Sequence, residues 1–272
     1  MNFHDKVQQI IAIKNSLLCV GLDSDIEKMP RALRASKNPL FDFNRAIIDA
    51  TADYAAAFKV NLAFYEAHGV GGWQALHDTF SYLPSDVLKI ADAKRGDIGN
   101  TAVMYARTVF DVLGADCVTV NPYMGFDSIE PFLMDETRGA FIICLTSNPG
   151  SHDFQYFSNG EQRLYERVAG MVNSWNRRKN CGLVVGATHA DELAAVRRIS
   201  PELPFLIPGI GAQGGDLVAA VRNGADAAGS LALFNSSRAI IYASGDDDFA
   251  QQAKEAAQAT MMQLNEARFI NE

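Results

Sequence analysis

Short apolar segments recur along the chain at fairly regular intervals, separated by longer stretches rich in polar residues. Their hydrophobicity is nearly continuous rather than alternating, which is typical of parallel strands buried on both faces. We therefore predict a buried strand in each of the segments 17–23, 56–64, 87–94, 117–123, 140–148, 182–188, 204–211 and 227–233.

The stretches between these segments show helical periodicity. Beyond Gly96, apolar residues that would share one helical face occur at Ile98, Ala102, Tyr105, Val109 and Val112. Segments 160–178 and 189–199 behave likewise, and three aspartates at 246–248 favour the start of a C-terminal helix. Eight strands that alternate with helices predict a (β/α)8 TIM barrel, with one domain over residues 1–272. A doubly wound open sheet is the less favoured alternative, because no GxGxxG follows the first strand.

Composition narrows the functional classes. The chain has 272 residues, 48% of them hydrophobic, and a formal net charge of −8, which disfavours non-specific nucleic-acid binding. No apolar run is long enough for a transmembrane helix, and the first residues lack a signal-peptide pattern, so we expect a cytoplasmic protein.

The cysteines Cys19, Cys117, Cys144 and Cys181 form no CxxC pair and are expected to be buried free thiols. The histidines lack metal-ligand spacing, so no structural zinc is expected.

Polar residues collect at the predicted strand ends, where barrels carry their chemistry. Asp23 ends the first strand, and the second carries Lys59 and Asn61. The third ends in Asp92-x-Lys94, whose side chains would share a face because alternate residues of a strand point the same way. Ser147 ends the fifth strand and Arg238 follows the eighth. We expect these residues to meet at one rim.

The segment "PGIGAQGG" (208–215) has the composition of an anion-binding loop. Its glycines at 209, 211, 214 and 215 allow close backbone approach and expose N–H groups. Barrels often bind phosphate with the loops after strands seven and eight. Gln213 adds a neutral donor, and Arg238 can supply a bidentate guanidinium. The sequence therefore predicts a phosphate monoester site.

The charges of Lys59, Asp92, Lys94 and Asp97 sum to zero. Flanking carboxylates favour the ammonium form of Lys94 over a Schiff-base nucleophile. A fixed ammonium beside a fixed carboxylate suits a reaction in which carbanionic charge develops next to the lysine and is then protonated. The residues thus indicate a phosphorylated substrate and acid chemistry at carbon, without a metal or an organic electron sink.

A DxKxxDIxxT string formed by Asp92, Lys94, Asp97, Ile98 and Thr101 resembles the signature of the orotidine 5′-phosphate decarboxylase family. "DAKRGDIGNTA", "TSNPGS", "PGIGAQGG" and "NSSRAI" are together similar to its longer bacterial subclass. The likeness spans all eight predicted strands. It implies conversion of orotidine 5′-phosphate to UMP and CO2, the last step of de novo UMP synthesis, without a cofactor.

The resemblance also implies roles for individual residues. Lys94 would stabilise and protonate the C6 carbanion, and Asp92 would lie beside the substrate carboxylate. Ribose would be bound by Asp23, Lys59 and Thr101, the pyrimidine by Ser147, and phosphate by Gln213 and Arg238. A homodimer is implied, in which Asp97 and Thr101 reach the neighbouring subunit's site. Ser237 departs from the glycine that many relatives carry before the arginine.

Two other interpretations are open at this point. The metal-dependent 3-hexulose-6-phosphate synthases and keto-gulonate-phosphate decarboxylases share the DxKxxD string, but they place a carboxylate at the end of strand two to help hold Mg²⁺. Here Lys59 takes that place, and Glu66 is a weak substitute. A non-catalytic barrel that senses UMP is the second alternative, although binding alone does not require such a charge cluster.

Overall fold

Eight parallel strands form a closed barrel in chain order, which confirms the predicted (β/α)8 fold. The computed structural model describes residues 1–188, 190–210 and 217–268. The ring closes between the first and last strands, with Leu18 opposite Phe234. The strands are β1 Leu18–Leu22, β2 Ala57–Asn61, β3 Leu88–Arg95, β4 Cys117–Val120, β5 Gly139–Leu145, β6 Cys181–Val185, β7 Phe205–Pro208 and β8 Ala232–Ser236.

Helices surround the barrel. They are α1 Phe3–Lys14, α2 Arg31–Arg34, α3 Pro39–Thr51, α4 Ala63–Glu66, α5 Gly69–Tyr82, α6 Gly99–Arg107, α7 Phe126–Ile129, α8 Leu164–Trp175, α9 Ala190–Ile199, α10 Leu217–Gly224, α11 Arg238–Ile241 and α12 Phe249–Arg268. Short 3-10 turns cover Ile26–Lys28, Pro122–Met124, Glu130–Leu133 and Pro149–Asp153. Helix α12 begins directly after the three aspartates, as the sequence predicted.

The last strand lies further along the chain than predicted. Segment 227–233 begins in a turn, in which the Gly229 amide donates to the carbonyl of Asp226 and the Asp226 amide donates to that of Ser230. Gly229 has a φ of +67°, which interrupts an extended strand. The strand then continues through Asn235 and Ser236, both buried. Because buried polar residues end this strand, hydrophobicity alone placed it too early.

The predicted face of helix α6 is only partly correct. Ala102 and Val109 are buried, whereas Ile98 and Val112 are 56% and 57% exposed. Ile98 lies just before helix α6, and a π-helical turn at Thr108–Val112 follows the helix. A π turn holds more residues than an α turn, so Val112, at its end, is rotated away from the face expected for an α-helix.

Helix α1 covers the N-terminal end of the barrel. Phe3 packs edge-to-face on Phe141, with ring centroids 5.8 Å apart. The ring of Phe3 also fills the space that a side chain at Gly139 would need. His4 is buried and its Nε2 lies 2.7 Å from the Cys181 carbonyl oxygen. This end of the barrel is therefore closed by packing, and the opposite end is free for chemistry.

All four cysteines are buried free thiols, as predicted. Burial raises the pKa of the Cys19 thiol to about 12, and desolvation acts in the same direction on Cys117, Cys144 and Cys181. These thiols are therefore protonated at neutral pH. Across the described ranges, no helix is both long and apolar enough to cross a membrane.

Candidate active site

A cavity of about 330 Å³ opens at the C-terminal ends of the strands. Several strands contribute polar side chains to its lining, and the residues expected to share one rim meet there, except Arg238, which lines an adjoining cavity. These polar residues include Asp23, Lys59, Asn61, Asp92, Lys94, Thr119, Ser147 and Asn235.

Strand β3 reaches the cavity through a bulge. Its pairing with β4 advances from Ala91 opposite Val118 to Arg95 opposite Val120, so β3 holds more residues than its partner. Lys94 has a φ of +46°, in the left-handed region that a residue with a Cβ seldom adopts. Asp92 and Lys94 both face the cavity, as predicted, and Lys94 Nζ lies 2.6 Å from Asp92 Oδ1.

The Asp92 carboxylate is the centre of a hydrogen-bonded charge network. Lys59 Nζ donates to its Oδ2 at 2.8 Å, while Lys94 Nζ and the Thr119 hydroxyl both donate to its Oδ1. Lys59 also reaches Asp23 Oδ1 at 3.4 Å. The side chains of Asp92 and Lys59 are 7% and 6% exposed, whereas that of Lys94 is 53% exposed. The network therefore presents one accessible ammonium above a buried ion pair.

Electrostatics keep the buried pair ionised. Burial by itself raises the pKa of Asp92, but the neighbouring ammonium groups of Lys59 and Lys94 outweigh it and hold that pKa well below its usual range. Burial likewise lowers the pKa of Lys59, but Asp92 and Asp23 more than compensate, and the net pKa lies above its ordinary value. Both groups are thus charged at neutral pH.

The opposite wall of the cavity is apolar. Ile143, Val184 and Leu206 line it, and Ser147 stands at its edge, where the sequence placed it. Apolar walls lower the local dielectric and strengthen the electrostatic interactions that a bound ligand makes with the charged side. The cavity therefore combines a charged side with an apolar one.

A second cavity of about 170 Å³ adjoins the first and shares Asp23 and Asn235 with it. Arg238 and Gly209 also line it, so the structure brings these two residues of the predicted phosphate site together. Gln213 and the glycines at 211, 214 and 215 lie outside the described residues.

Ser237, which departs from the family pattern, lies against strand β1. Its hydroxyl accepts a hydrogen bond from Asn235 Nδ2 at 3.3 Å. A Cβ added at Gly21 would lie 1.9 Å from the Ser237 hydroxyl oxygen. The absence of a side chain at Gly21 therefore accommodates the serine.

Asp97 and Thr101 are not among the described residues that line either cavity. Asp97 Oδ1 accepts a hydrogen bond from the Ile98 amide at 2.8 Å, and Thr101 is exposed on helix α6. Glu66 forms an ion pair with Arg95. Within the described ranges, no group of three or more histidine, cysteine or acidic residues is arranged to hold a metal ion.

Sequence reasoning did not single out Thr119, Thr146 or Asn235, which are polar residues of the cavity lining. Thr119 is buried in β4, and the one signal for it was a single hydroxyl in the apolar run "CVTV". Asn235 joins the two cavities but falls beyond the strand predicted for that region. Thr119 and Asn235 contact residues that are distant in sequence, namely Asp92 and Cys19.

Comparison with known proteins identifies the family. The family model described as "Orotidine 5′-phosphate decarboxylase / HUMPS family" matches residues 16–256. Orotidine 5′-phosphate decarboxylase of Dehalococcoides mccartyi is 51% identical over 98% of this chain and 99% of its own, and that of Christiangramia forsetii is 48% identical over 97% of each. The structure of the Leishmania donovani OMP decarboxylase is 39% identical, with a TM-score of 0.86 and full coverage of both chains. The chain belongs to the orotidine 5′-phosphate decarboxylase / HUMPS family.

Proposed function

We propose that this chain decarboxylates orotidine 5′-phosphate to UMP and CO2 without a cofactor, as the last step of de novo UMP synthesis. Family membership supports the reaction. The observation that carries the proposal is the Asp92 carboxylate held between the ammonium groups of Lys59 and Lys94 on the floor of a cavity. The arrangement suits a reaction that creates negative charge on carbon.

In the proposed mechanism, the bond between C6 and the carboxylate carbon breaks and CO2 leaves. The electron pair remains on C6, where the Lys94 ammonium stabilises it and then donates a proton to give UMP. Hydrogen bonding to Asp92 at 2.6 Å fixes the ammonium before the charge develops. Asp92 would lie beside the substrate carboxylate, so loss of CO2 would relieve a repulsion between like charges.

The rest of the nucleotide is proposed to lie across the two adjoining cavities. Asp23 and Lys59 would bind ribose, and Ser147 would bond the pyrimidine. Arg238, with Gln213, would bind phosphate in the smaller cavity. Support comes from Asp23, which lines both cavities and therefore lies where a ribose would join ring to phosphate.

We also propose that the enzyme is a homodimer in which Asp97 and Thr101 complete the partner's site. The location of both residues outside the cavities of their own chain supports this proposal. Large apolar side chains are exposed on and near helix α6, and methionine and tyrosine are enriched at interfaces. The exposed apolar residues on and near α6 are Ile98, Val103, Met104, Tyr123 and Met124.

The metal-dependent alternative finds no support in the side chains at the end of β2. Lys59 points at Asp92 there, and its ammonium would repel a divalent cation. Glu66 pairs with Arg95 and does not line the cavity. We expect turnover to be insensitive to EDTA.

The decisive test is turnover of orotidine 5′-phosphate, followed by the loss of its ultraviolet absorbance. Lys94→Ala should lower kcat by about 10²–10³-fold or more, because the lost contact acts where charge develops. Binding of UMP should remain measurable in this variant. Lys89→Ala is a matched control on the same strand, since Lys89 Nζ bonds the Phe80 carbonyl instead of entering the cavity.

Near wild-type kcat in Lys94→Ala would refute the assignment of the proton donor. A wild-type protein that binds UMP but does not turn over orotidine 5′-phosphate would favour the sensor alternative.

A further inference from the structure

Thr119 contacts both residues at the centre of the charge network. It lies in β4 and is 2% exposed. Its hydroxyl donates to Asp92 Oδ1 at 2.9 Å and accepts from the backbone amide of Lys94, also at 2.9 Å. One oxygen atom thus touches the side chain of one residue and the backbone of the other.

The direction of these two hydrogen bonds is fixed by chemistry. The amide of Lys94 can only donate, and the ionised carboxylate of Asp92 can only accept. The single hydroxyl hydrogen of Thr119 must therefore point to Asp92, while a lone pair faces the amide. Valine has nearly the same shape but can make neither bond, whereas serine can make both.

The bulge in β3 explains why the Lys94 backbone needs a partner. Between Ala91 and Arg95 the regular pairing with β4 is interrupted, and Lys94 lies within this gap at a left-handed φ. The hydrogen bond that this amide makes is partly buried, and an amide shielded from water without an acceptor is disfavoured. A left-handed lysine also persists only where its surroundings hold it. The Thr119 hydroxyl supplies the acceptor.

The outer side of the same segment is held independently. Arg95 forms an ion pair with Glu66, and its guanidinium lies 5.1 Å from the centre of the Tyr105 ring. These contacts anchor the end of the strand outside the cavity. Thr119 acts from the inner side, where it fixes the orientation of Asp92 and the backbone of Lys94.

We propose that Thr119 is a positioning residue for the decarboxylation, because it fixes the position of Lys94 relative to Asp92. The inference rests on the proposed function. A displacement of about 1 Å in a reacting group can cost about 10²-fold in rate. Thr119→Val should therefore lower kcat by about that factor and leave the dissociation constant of UMP essentially unchanged. Thr119→Ser should restore most of the lost kcat.

The experiment compares kcat, KM and UMP binding in wild type, Thr119→Val and Thr119→Ser. Thr51→Val is the matched control, because Thr51 is a buried threonine whose hydroxyl donates to the Ile47 carbonyl within helix α3. This control should leave kcat unchanged. If Thr119→Val does not fold, Thr119→Ala against Thr119→Ser makes the same comparison with less bulk.

A second measurement does not depend on turnover. Hydrogen exchange at the Lys94 amide should be slow in wild type and Thr119→Ser, and fast in Thr119→Val. Unchanged amide protection in Thr119→Val, full kcat in that variant, or equal losses of kcat in the serine and valine variants would each overturn the proposal. A wild-type protein that lacks decarboxylase activity would refute the proposed function, and amide exchange would still test the contact between Thr119 and Lys94.

Discussion

Lys59→Met should destabilise the protein through the charge that it leaves behind. Methionine preserves most of the length and volume of the side chain but removes the ammonium. Asp92, whose side chain is 7% exposed, would lose its 2.8 Å partner and face an apolar group instead. The variant therefore isolates the electrostatic part of the buried pair.

The expected magnitude follows from the contacts that remain. Breaking a buried pair by removing one partner typically costs about 3–5 kcal/mol. Asp92 would keep its hydrogen bonds from Lys94 and Thr119, so the loss should lie at the lower end, at about 3 kcal/mol. For a chain of this size the melting temperature should fall by about 6–12 °C.

The effect should also depend on pH, with a definite sign. The pKa of Asp92 is lowered on folding, so its ionised form stabilises the fold above about pH 4, and this contribution is lost as the pH falls through the folded-state value. The pKa of Lys59 is raised, so its contribution is present below about pH 10 and is lost as the pH rises further. Both contributions are therefore complete at neutral pH.

In Lys59→Met the pKa of Asp92 should rise, because its buried cation is gone. The free-energy difference between variant and wild type should then shrink as the pH is lowered, first because the Asp92 carboxyl of the folded variant becomes protonated. Below about pH 4 it should shrink further as the wild type loses the contribution of its ionised Asp92. Urea unfolding at several pH values measures this difference. Lys59→Met combined with Asp92→Leu serves as the control, since an apolar pair should recover stability.

If Lys59→Met lowers the free energy of unfolding by less than about 1 kcal/mol at pH 7, the buried charge pair does not hold the site together. A loss that stays constant across the pH range would attribute the effect to packing.

Two further predictions concern the substrate and the dimer. Arg238→Ala should lower kcat/KM for orotidine 5′-phosphate by about 10- to 100-fold, since a hydrogen bond to a charged group is lost. Turnover of the phosphate-free nucleoside should be unaffected. Equal losses for both substrates would show that Arg238 only supports the fold. Mixing and re-equilibrating Lys94→Ala with Asp97→Ala should restore roughly a quarter of wild-type activity, because half of the dimers would carry one intact site of two. If subunit exchange is verified and no activity returns, Asp97 does not act across an interface.

The barrel could be predicted from the sequence because strands buried on both faces leave continuous apolar runs. The rule failed at β8, where Asn235 and Ser236 are buried although they are polar. Their burial depends on the cavity that they line together with Asp23, which is distant in sequence. Hydrophobicity measured along the chain does not contain that information.

The candidate site was predictable where it depends on local geometry. Asp92 and Lys94 share a face, as residues two apart in a strand do, and their ion pair follows from that spacing. The bulge and the contact of Thr119 with both residues depend on the register between β3 and β4. Register is a property of two segments together, so no pattern within either one predicts it.

The closure of the barrel links ligand binding to folding. Asp23 and Asn235 line both cavities. Asp23 directly follows β1 and Asn235 lies in β8, and these two strands pair only when the first and last parts of the barrel meet. The Tyr242 hydroxyl donates to the Asp23 carbonyl across 219 residues of sequence. Contacts of this range form slowly, because the entropy of closing the loop is lost before they stabilise the chain.

In a partly folded chain in which only β2, β3 and β4 are paired, Asp92 could already contact Lys59. The residues that line both cavities, Asp23 and Asn235, would not yet be together. A nucleotide that spans both cavities can bind fully only to the closed ring. Its binding free energy therefore adds to the stability of the closed state alone, by mass action. Under the proposed function, binding of the nucleotide would therefore stabilise the closed barrel over states in which the first and last strands are unpaired.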